Sequence, residues 1–217
     1  MATLPGGSFG TIHGQHGQDL HVPDGHWTAF GANGNENIFA GNGDDTIYAG
    51  NGNQNIVGGV GDDIIFGGHG NDLILGGEGQ QTLMGGVGHD TLVGGIGDQY
   101  LHAGKGGDLM IGGDGNDTFV SGDGNDTMVS GTGNDTFVFS GGGDRDVIMN
   151  FHDGDILQIQ RNINGLQVQT ANDLLSHIHS DRDGNAIIDF GHGDSVTLVG
   201  VKDEDIHNNP TGFIKIH

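Results

Sequence analysis

The stretch GGVGDDIIFGGHGNDLILGG, from Gly58 to Gly77, repeats one pattern after nine residues. Each copy has two glycines, any residue, glycine, any residue and aspartate, followed by an apolar segment. Glycine loses more conformational freedom on folding than any other residue, and neighbouring carboxylates repel one another. A chain that restates both at a fixed spacing therefore needs a structural reason for doing so.

The nine-residue frame extends over residues 31–138 as twelve rows without insertion or deletion. Numbering the positions of each row from Gly31, the fourth is always glycine and the eighth is always apolar, as at Ile38 and Phe137. One inward residue beside β-formers indicates a short strand followed by a glycine turn. Two rows then make one coil, which predicts an all-β parallel β-roll solenoid with two strands and two turns per 18-residue coil.

Composition alone would favour a disordered chain. The 217 residues include 47 glycines, only 33% are hydrophobic, and the formal net charge is −23. The strict period favours an ordered repeat instead. So negative a chain disfavours nucleic acid and anionic membranes as partners and favours cations.

Cysteine and segment content exclude other classes. The chain has no cysteine, so it forms neither disulfides nor thiolate metal sites. No apolar stretch approaches the ~18 residues of a transmembrane segment. The start, MATLPGGSFG, lacks the basic and apolar regions of an N-terminal secretory signal.

The flanks of the repeats predict three regions. Residues 1–30, with Trp27, are predicted to cap the first coil, and residues 31–138 form the repeats. Residues 139–217 are predicted to be a β-rich C-terminal cap that closes the open end of the solenoid. One short helix is expected there, beginning at Thr170 with Asp173 in its first turn and burying Leu174, Leu175 and Ile178.

Position six carries the candidate chemistry. Residues eighteen apart become neighbours in adjacent coils, and two carboxylates ~4 Å apart repel by ~4 kcal/mol at an effective dielectric near 20. A divalent cation between them reverses that sign. Carboxylates with inward turn carbonyls suit a hard ion with six or more oxygen ligands, which favours Ca²⁺ over Mg²⁺ and Zn²⁺. The twelve residues are Glu36, Asp45, Gln54, Asp63, Asp72, Gln81, Asp90, Gln99, Asp108, Asp117, Asp126 and Asp135.

The rows GGVGDDIIF, GGHGNDLIL and GGDGNDTFV resemble the GGxGxDxUx nonapeptide of the RTX (repeats-in-toxin) family of secreted, hemolysin-type calcium-binding proteins. The resemblance implies a parallel β-roll with calcium ions between successive turns. Residues 139–217 resemble the C-terminal flanks of that family through DRDVIMNF and GDILQI. Membership would imply an extracellular protein exported by a type I secretion machinery that reads an uncleaved C-terminal signal.

Carried over row by row, the motif predicts an uneven series of calcium sites. The aspartate pairs are Asp45 with Asp63, Asp72 with Asp90, Asp90 with Asp108, Asp108 with Asp126, and Asp117 with Asp135. Asp144 keeps the spacing after Asp126 and is predicted to add one more, although its row departs from the pattern. Weaker ligands are expected at Gln54, Gln81, Gln99 and Glu36. Pairs of Gln with Asp should bind more weakly, while Glu36–Gln54 and Gln81–Gln99 should bind weakly or not at all.

Two other features have alternative interpretations. The histidines form either surface and packing contacts or a transition-metal site. These are His13, His16, His21 and His26 near the start, and His177 and His179 in the presumed helix. The apolar position nine faces outward and indicates either stacking of like residues or a docking surface for a polysaccharide or another protein.

The sequence therefore predicts a secreted calcium-binding protein whose folding is coupled to calcium, acting as a structural, adhesive or secretion and folding module. The alternatives are a glycan- or surface-binding module, or the C-terminal targeting module of a larger exoenzyme or adhesin. Ice binding is disfavoured because positions three and five vary. An enzyme is not expected, since HSDRD and DFGHGD combine Asp and His without a nucleophile setting.

Overall fold

The structure is a computed structural model that describes residues 9–142 and 144–217. Within these residues the chain forms two β-sheets, one of ten strands and one of eleven. Residues 1–8 of the predicted N-terminal cap lie outside the described residues. The predicted fold class, a parallel β-roll solenoid with a β-rich C-terminal region, is confirmed.

The strands begin before the repeats and follow the nine-residue period through them. Each complete repeat strand runs from position seven to position three of the next row, and positions four to six form the turn. The strands are β1 (Phe9–His13), β2 (Leu20–His21), β3 (His26–Phe30), β4 (Asn37–Phe39), β5 (Thr46–Asn51), β6 (Asn55–Val60), β7 (Ile64–His69), β8 (Leu73–Glu78), β9 (Thr82–Val87), β10 (Thr91–Ile96), β11 (Tyr100–Lys105), β12 (Leu109–Asp114), β13 (Thr118–Asp123), β14 (Thr127–Thr132) and β15 (Thr136–Phe139).

Successive strands alternate between the two sheets, so each strand pairs in parallel with the strand one coil away. The register is eighteen residues, as in the pairing of Ile47 with Ile65 and of Ile65 with Leu83. Every position-eight side chain between Ile38 and Phe137 is fully buried between the sheets. The core is therefore one file of large side chains per sheet beside small position-one residues such as Ala49 and Ala103, with Phe119 and Phe137 stacked 4.7 Å apart.

The C-terminal region extends both sheets. Its strands are β16 (Arg145–Met149), β17 (Ile156–Ile159), β18 (Ile178–Ser180), β19 (Ala186–Gly191), β20 (Asp194–Leu198) and β21 (Ile214–Ile216). Here the ten-stranded sheet ends at β21 and the eleven-stranded sheet ends at β18. Strand β20 pairs in parallel with β16, whereas β19 pairs antiparallel with both β18 and β20. Helices α1 (Asp203–Asn208) and α2 (Pro210–Phe213) precede β21. In the described part of the chain, no helix is long and apolar enough to cross a membrane.

The predicted helix is a 3₁₀ helix over Ala171–His177, and a second 3₁₀ turn covers Ile163–Gly165. Asp173 accepts hydrogen bonds from the Thr170 N–H at 2.8 Å and from its hydroxyl at 3.1 Å, which fixes the start of the helix. The helix ends at His177, so placing Ile178 and His179 in it was wrong. Both lie in β18, where Ile178 pairs with Ile188.

The N-terminal residues 9–30 extend the sheets of the repeats. Strand β1 pairs in parallel with β3, and β3 pairs with β5 at the eighteen-residue register. Strand β2 pairs in the same way with β4. The division into a cap, a repeat region and a C-terminal region stays a prediction.

Candidate metal sites along the turns

The glycines at position four allow the turns of adjacent coils to lie directly against each other. Gly70 and Gly88 have φ of 123° and 148°, a conformation that L side chains rarely adopt. A Cβ added to Gly88 would occupy the place of the Gly70 carbonyl oxygen. The turn can therefore bring main-chain oxygens close to the side chain at position six.

The position-six side chains form a buried ladder along each edge of the roll. One carboxylate oxygen of each aspartate accepts the main-chain N–H of the position-six residue one coil earlier. The Asp45 N–H binds Asp63 Oδ1 at 2.8 Å, and the Asp72 N–H binds Asp90 Oδ1 at 2.8 Å. We call the contact between two such residues a seam and name it by its earlier and later members. The structure thus brings together the residues that the sequence paired at a spacing of eighteen.

The second carboxylate oxygen of each acidic position-six residue is buried and has no hydrogen-bond partner. A buried acceptor without a donor costs about 1–3 kcal/mol, and more when it is charged. Such atoms in a regular file indicate that a positively charged group belongs beside them. They are Glu36 Oε2 and the Oδ2 atoms of Asp45, Asp63, Asp72, Asp90, Asp108, Asp117, Asp126 and Asp135.

Burial also raises the pKa values of the ladder aspartates above their ordinary value of 3.8. For Asp126, burial first and then the like charges of Asp146 and Asp108 raise the pKa to about 8. Burial is the largest cause throughout, and it raises the pKa of Asp90 and Asp117 to about 7 and that of Asp63 and Asp135 to about 6. The ladder therefore holds its negative charge at a cost that either protons or a cation can remove.

Asp144 does not occupy the ladder place that the sequence analysis gave it. The Asp126 N–H binds Asp146 Oδ1 at 2.9 Å, whereas Asp144 Oδ2 accepts the Gly124 N–H at 2.8 Å. The turn before β16 is two residues longer than a repeat turn, which shifts the register so that Thr127 pairs with Val147. Counting by eighteen missed this shift, but the local Asp-x-apolar pattern at Asp146 would have found it.

Asp155 is a second ladder residue that the sequence analysis missed. Its Oδ1 accepts the Asp135 N–H at 2.8 Å, and its Oδ2 accepts the His152 N–H at 3.0 Å. Asp146 likewise has a further hydrogen bond, from Ser121. The position-six ladder on each edge of the roll thus ends, at its C-terminal side, on a carboxylate that accepts additional hydrogen bonds from the protein.

The glutamines differ from the aspartates in the same place. Gln54 Oε1 accepts the Glu36 N–H at 2.8 Å and so keeps the ladder bond. Its Nε2 donates to the Gly34 carbonyl at 2.7 Å. Gln81 and Gln99 donate in the same way to Gly61 and Gly79. Glu36 has no such donor, since Oε1 accepts the Gly17 N–H at 2.8 Å and Oε2 is without a partner.

A second, exposed ladder at position five was not anticipated. There the Asn35 side chain accepts the Asn53 N–H at 2.8 Å, and the Asn53 side chain accepts the Asn71 N–H at 2.8 Å. Asp62 and Asp98 act likewise on Gln80 and Asn116. The signal was the frequent Asn or Asp at position five, since both can accept a main-chain N–H from the next coil.

The N-terminal histidines lie in separate packing contacts. His13 stacks on Phe30 at 5.1 Å, and His21 packs on Phe39 at 5.0 Å. His26 Nδ1 accepts the Asp44 N–H at 3.0 Å. Across residues 9–142 and 144–217, no three His, Asp or Glu side chains converge as a metal site. A seam between two aspartates joins two carboxylates, so calcium there would take its remaining ligands from main-chain oxygens.

Outward side chains at position nine form a row of stacked aromatic rings on the ten-stranded sheet, which we call the first sheet. Phe30, Tyr48 and Phe66 stack at centroid distances of 5.2 and 4.8 Å, with interplanar angles of 10° and 2°. Because the rings cover each other's faces, the middle ring presents its edge to solvent. This arrangement favours stacking of like residues over a platform on which sugar rings could lie.

The two Asp- and His-bearing C-terminal stretches meet at an open cleft of about 380 Å³, lined by His179, Asp189, His192 and Ser195. Asp181 is engaged within its own turn, where it accepts the N–H groups of Asp183 and Asn185.

Comparison with known proteins gives a matching family and several structural neighbours. A family model described as "RTX calcium-binding nonapeptide repeat (4 copies)" matches residues 30–53, 48–80, 76–110, 102–137 and 111–148. No curated protein matches the chain. Among solved structures, the extracellular lipase LipA from Serratia marcescens is 21% identical with a TM-score of 0.31, over 83% of this chain and 38% of the lipase. The chain thus spans well under half the length of that lipase.

Proposed function

The chain belongs to the family of RTX calcium-binding nonapeptide repeats, and on that premise we propose that its seams bind calcium and that this binding is coupled to folding of the roll. The observation that carries the proposal is the file of buried carboxylate oxygens without hydrogen-bond partners. The main-chain carbonyl oxygens of the same turns would supply the further ligands of the ion. The residues proposed to hold the ions are Asp45, Asp63, Asp72, Asp90, Asp108, Asp117, Asp126 and Asp135.

The donor set supports calcium over other metals. The seams offer carboxylate and carbonyl oxygens on flexible glycine turns, which suit an ion with six to eight oxygen ligands. Bound calcium would supply the positive charge that offsets repulsion between adjacent rungs. Mg²⁺ demands stricter octahedral geometry, and Zn²⁺ prefers nitrogen or sulfur ligands that the seams do not present.

Coupling to folding follows from the thin core and the acidic edges. The sheets bury one file of side chains each, while the ladders bury carboxylates whose charged form is destabilised. A ligand that binds only the folded state stabilises it by its own binding free energy. The chain should therefore be unfolded where calcium is scarce and folded where calcium is about millimolar.

The wider role we propose is that of a secreted, extracellular structural, adhesive or secretion and folding module, which binds rather than catalyses. The coupling suits this role, because an unfolded chain can pass through a type I export channel and fold outside. The C-terminal module of a larger exoenzyme or adhesin is compatible with the same chemistry. A glycan-binding role is less favoured, since the row of stacked aromatic rings on the first sheet presents ring edges.

Circular dichroism during calcium titration tests the proposal. The purified chain in calcium-depleted buffer should lack the β signal, and the signal should appear as calcium is added. Magnesium at the same concentration is the matched control and should restore little of it. A β signal of equal size with and without calcium would overturn the coupling of binding to folding.

A further inference from the structure

Three of the twelve position-six residues are glutamines, and each places an amide nitrogen where an aspartate has its second oxygen. The amide oxygen keeps the ladder bond. It accepts the Glu36 N–H in Gln54, the Asp63 N–H in Gln81 and the Gln81 N–H in Gln99, at 2.8, 3.2 and 2.8 Å. The remaining difference from aspartate lies in the second terminal atom.

That nitrogen donates across the seam to the position-four carbonyl of the coil before. The distances are 2.7 Å from Gln54 to Gly34, 2.7 Å from Gln81 to Gly61 and 2.9 Å from Gln99 to Gly79. Gln54 and Gln81 also donate to the position-three carbonyl of their own turn, at 3.2 and 3.3 Å. The amide group thus satisfies carbonyl oxygens from both turns that form the seam.

The aspartate seams have the same carbonyls without the donor. The equivalent oxygens are those of Gly52 before Asp72, Gly70 before Asp90 and Gly88 before Asp108. In the described part of the chain none of them accepts a hydrogen bond. The Oδ2 atoms of these aspartates also lack a donor. Around the position-four carbonyl, an aspartate seam therefore presents only oxygen atoms without donors. In a seam whose later residue is glutamine, the same carbonyl accepts a hydrogen bond from the amide nitrogen.

We infer that Gln54, Gln81 and Gln99 determine which seams take calcium, because their amide groups replace the cation. The seams Glu36–Gln54, Asp63–Gln81 and Gln81–Gln99 then close without metal. The inference rests on the proposed function, in which aspartate seams are calcium sites.

The order of the two residues in a seam matters as much as their identity. The later residue reaches back into the seam, so Gln54–Asp72 and Gln99–Asp117 keep an unpartnered aspartate oxygen and remain calcium sites. Asp63–Gln81 is closed by its glutamine. The sequence treated all three pairs alike, and the structure separates them.

The test replaces Gln81 and Gln99 together by glutamate, Q81E/Q99E, which keeps the side-chain shape and exchanges the donor nitrogen for an oxygen. We expect native mass spectrometry to show additional bound calcium, one ion for each seam that is opened. At the lowest calcium concentration that keeps the wild type folded, amide hydrogen exchange around residues 61–99 of the variant should be about tenfold faster than in the wild type, because the seam bonds are lost. Added calcium should restore the protection.

The control is Gln80→Glu, which adds one negative charge, half of that in Q81E/Q99E, at the exposed position five one residue before Gln81. It should change neither the ion count nor the exchange of residues 61–99. If Q81E/Q99E gains no ion, or exchanges like the wild type at that lowest calcium concentration, the assignment of the glutamines is wrong. A wild type that binds no calcium would overturn the proposed function as well.

Discussion

Each aspartate at position six has two separate tasks at its two oxygens. In Asp90, Oδ1 accepts the Asp72 N–H and holds two coils together, while Oδ2 has no protein partner. Asparagine can keep the first task and loses the charge needed for the second. An aspartate-to-asparagine substitution therefore keeps the hydrogen bond between coils and removes the charge that would bind calcium.

Asp90→Asn should have opposite effects with and without calcium. Burial first, and then the like charges of the adjoining Asp72 and Asp108, raise the pKa of Asp90. Removing its charge weakens two seams, so the calcium concentration that half-folds the chain should rise by about tenfold or more, or about 1.4 kcal/mol. In calcium-depleted buffer, where the wild type is unfolded, the same variant should fold at a lower concentration of the stabilising osmolyte TMAO, since repulsion is reduced. Circular dichroism during calcium and TMAO titrations measures both effects.

Asp98→Asn is the control for this change. Asp98 is exposed at position five, and its Oδ1 accepts the Asn116 N–H at 2.7 Å, a bond that asparagine preserves. Both effects should be small there. An Asp98→Asn variant that behaved like Asp90→Asn would show that overall charge, and not the seam, is responsible.

The raised pKa values predict that acid favours the fold when calcium is absent. Burial raises the folded-state pKa of Asp126 to about 8 and of Asp63 to about 6, above 3.8 for the ordinary group. A group with a raised pKa contributes stability that is complete below its unfolded pKa and is lost as pH rises through its folded pKa. The free energy of unfolding should therefore fall between about pH 4 and pH 8, by up to about 1.4 kcal/mol per pH unit for each titrating group.

The measurement is the β signal in circular dichroism across that range in buffer depleted of calcium by a chelating resin, where the chain should gain structure as the pH falls. Asp126→Asn should flatten the curve between pH 6 and 8, where Asp126 titrates. A metal-depleted protein that becomes steadily more stable toward pH 8 would contradict the buried ladder.

At the scale of the element, each position of the turn and strand has its own requirement, and position four requires glycine. Gly88 combines a φ of 148° with a neighbouring carbonyl in the place of a Cβ, so any side chain there is both strained and blocked. Position five, by contrast, needs an acceptor for the N–H of the next coil, as Asn53 supplies for Asn71. The strand between the turns needs one buried residue at position eight.

Gly88→Ala should destabilise the calcium-bound protein by more than about 2 kcal/mol, because the strained φ costs about 1–3 kcal/mol and the Gly70 carbonyl must also move. Gly165→Ala is the matched control. Gly165 has a positive φ of 81° but open space where its Cβ would lie, so only the strain remains. Thermal unfolding at saturating calcium compares the two, and equal losses would mean that stacking of the turns is not limiting.

At the scale of the whole molecule, the two edges of the roll are unequal. One edge carries an unbroken run of aspartates from Asp72 to Asp126, whereas the other is divided by Gln81 and Gln99. Asp90 and Asp108 each belong to two seams. Calcium binding at one seam therefore orders a residue of the next seam and favours binding there, as expected for nearest-neighbour coupling in solenoids.

Calcium-dependent folding should accordingly be cooperative. The titration curve from circular dichroism should be steeper than that of a single site, with a Hill coefficient clearly above one. Asp108→Asn, which interrupts the long run, should reduce that coefficient as well as the affinity. A hyperbolic curve for the wild type would show that the seams bind independently.

The sequence by itself determined the solenoid, its register and most of the ladder, because a nine-residue period leaves one way to bury every position-eight side chain. It placed Asp45 opposite Asp63 and Asp90 opposite Asp108 by counting alone. Only the tertiary structure decided where the count breaks, since the longer turn before β16 puts Asp146, not Asp144, beside Asp126. It also decided which way each side chain reaches. That direction is set by hydrogen bonds between coils, which no local pattern records, and it separates a glutamine that closes a seam from an aspartate that leaves an oxygen for a cation.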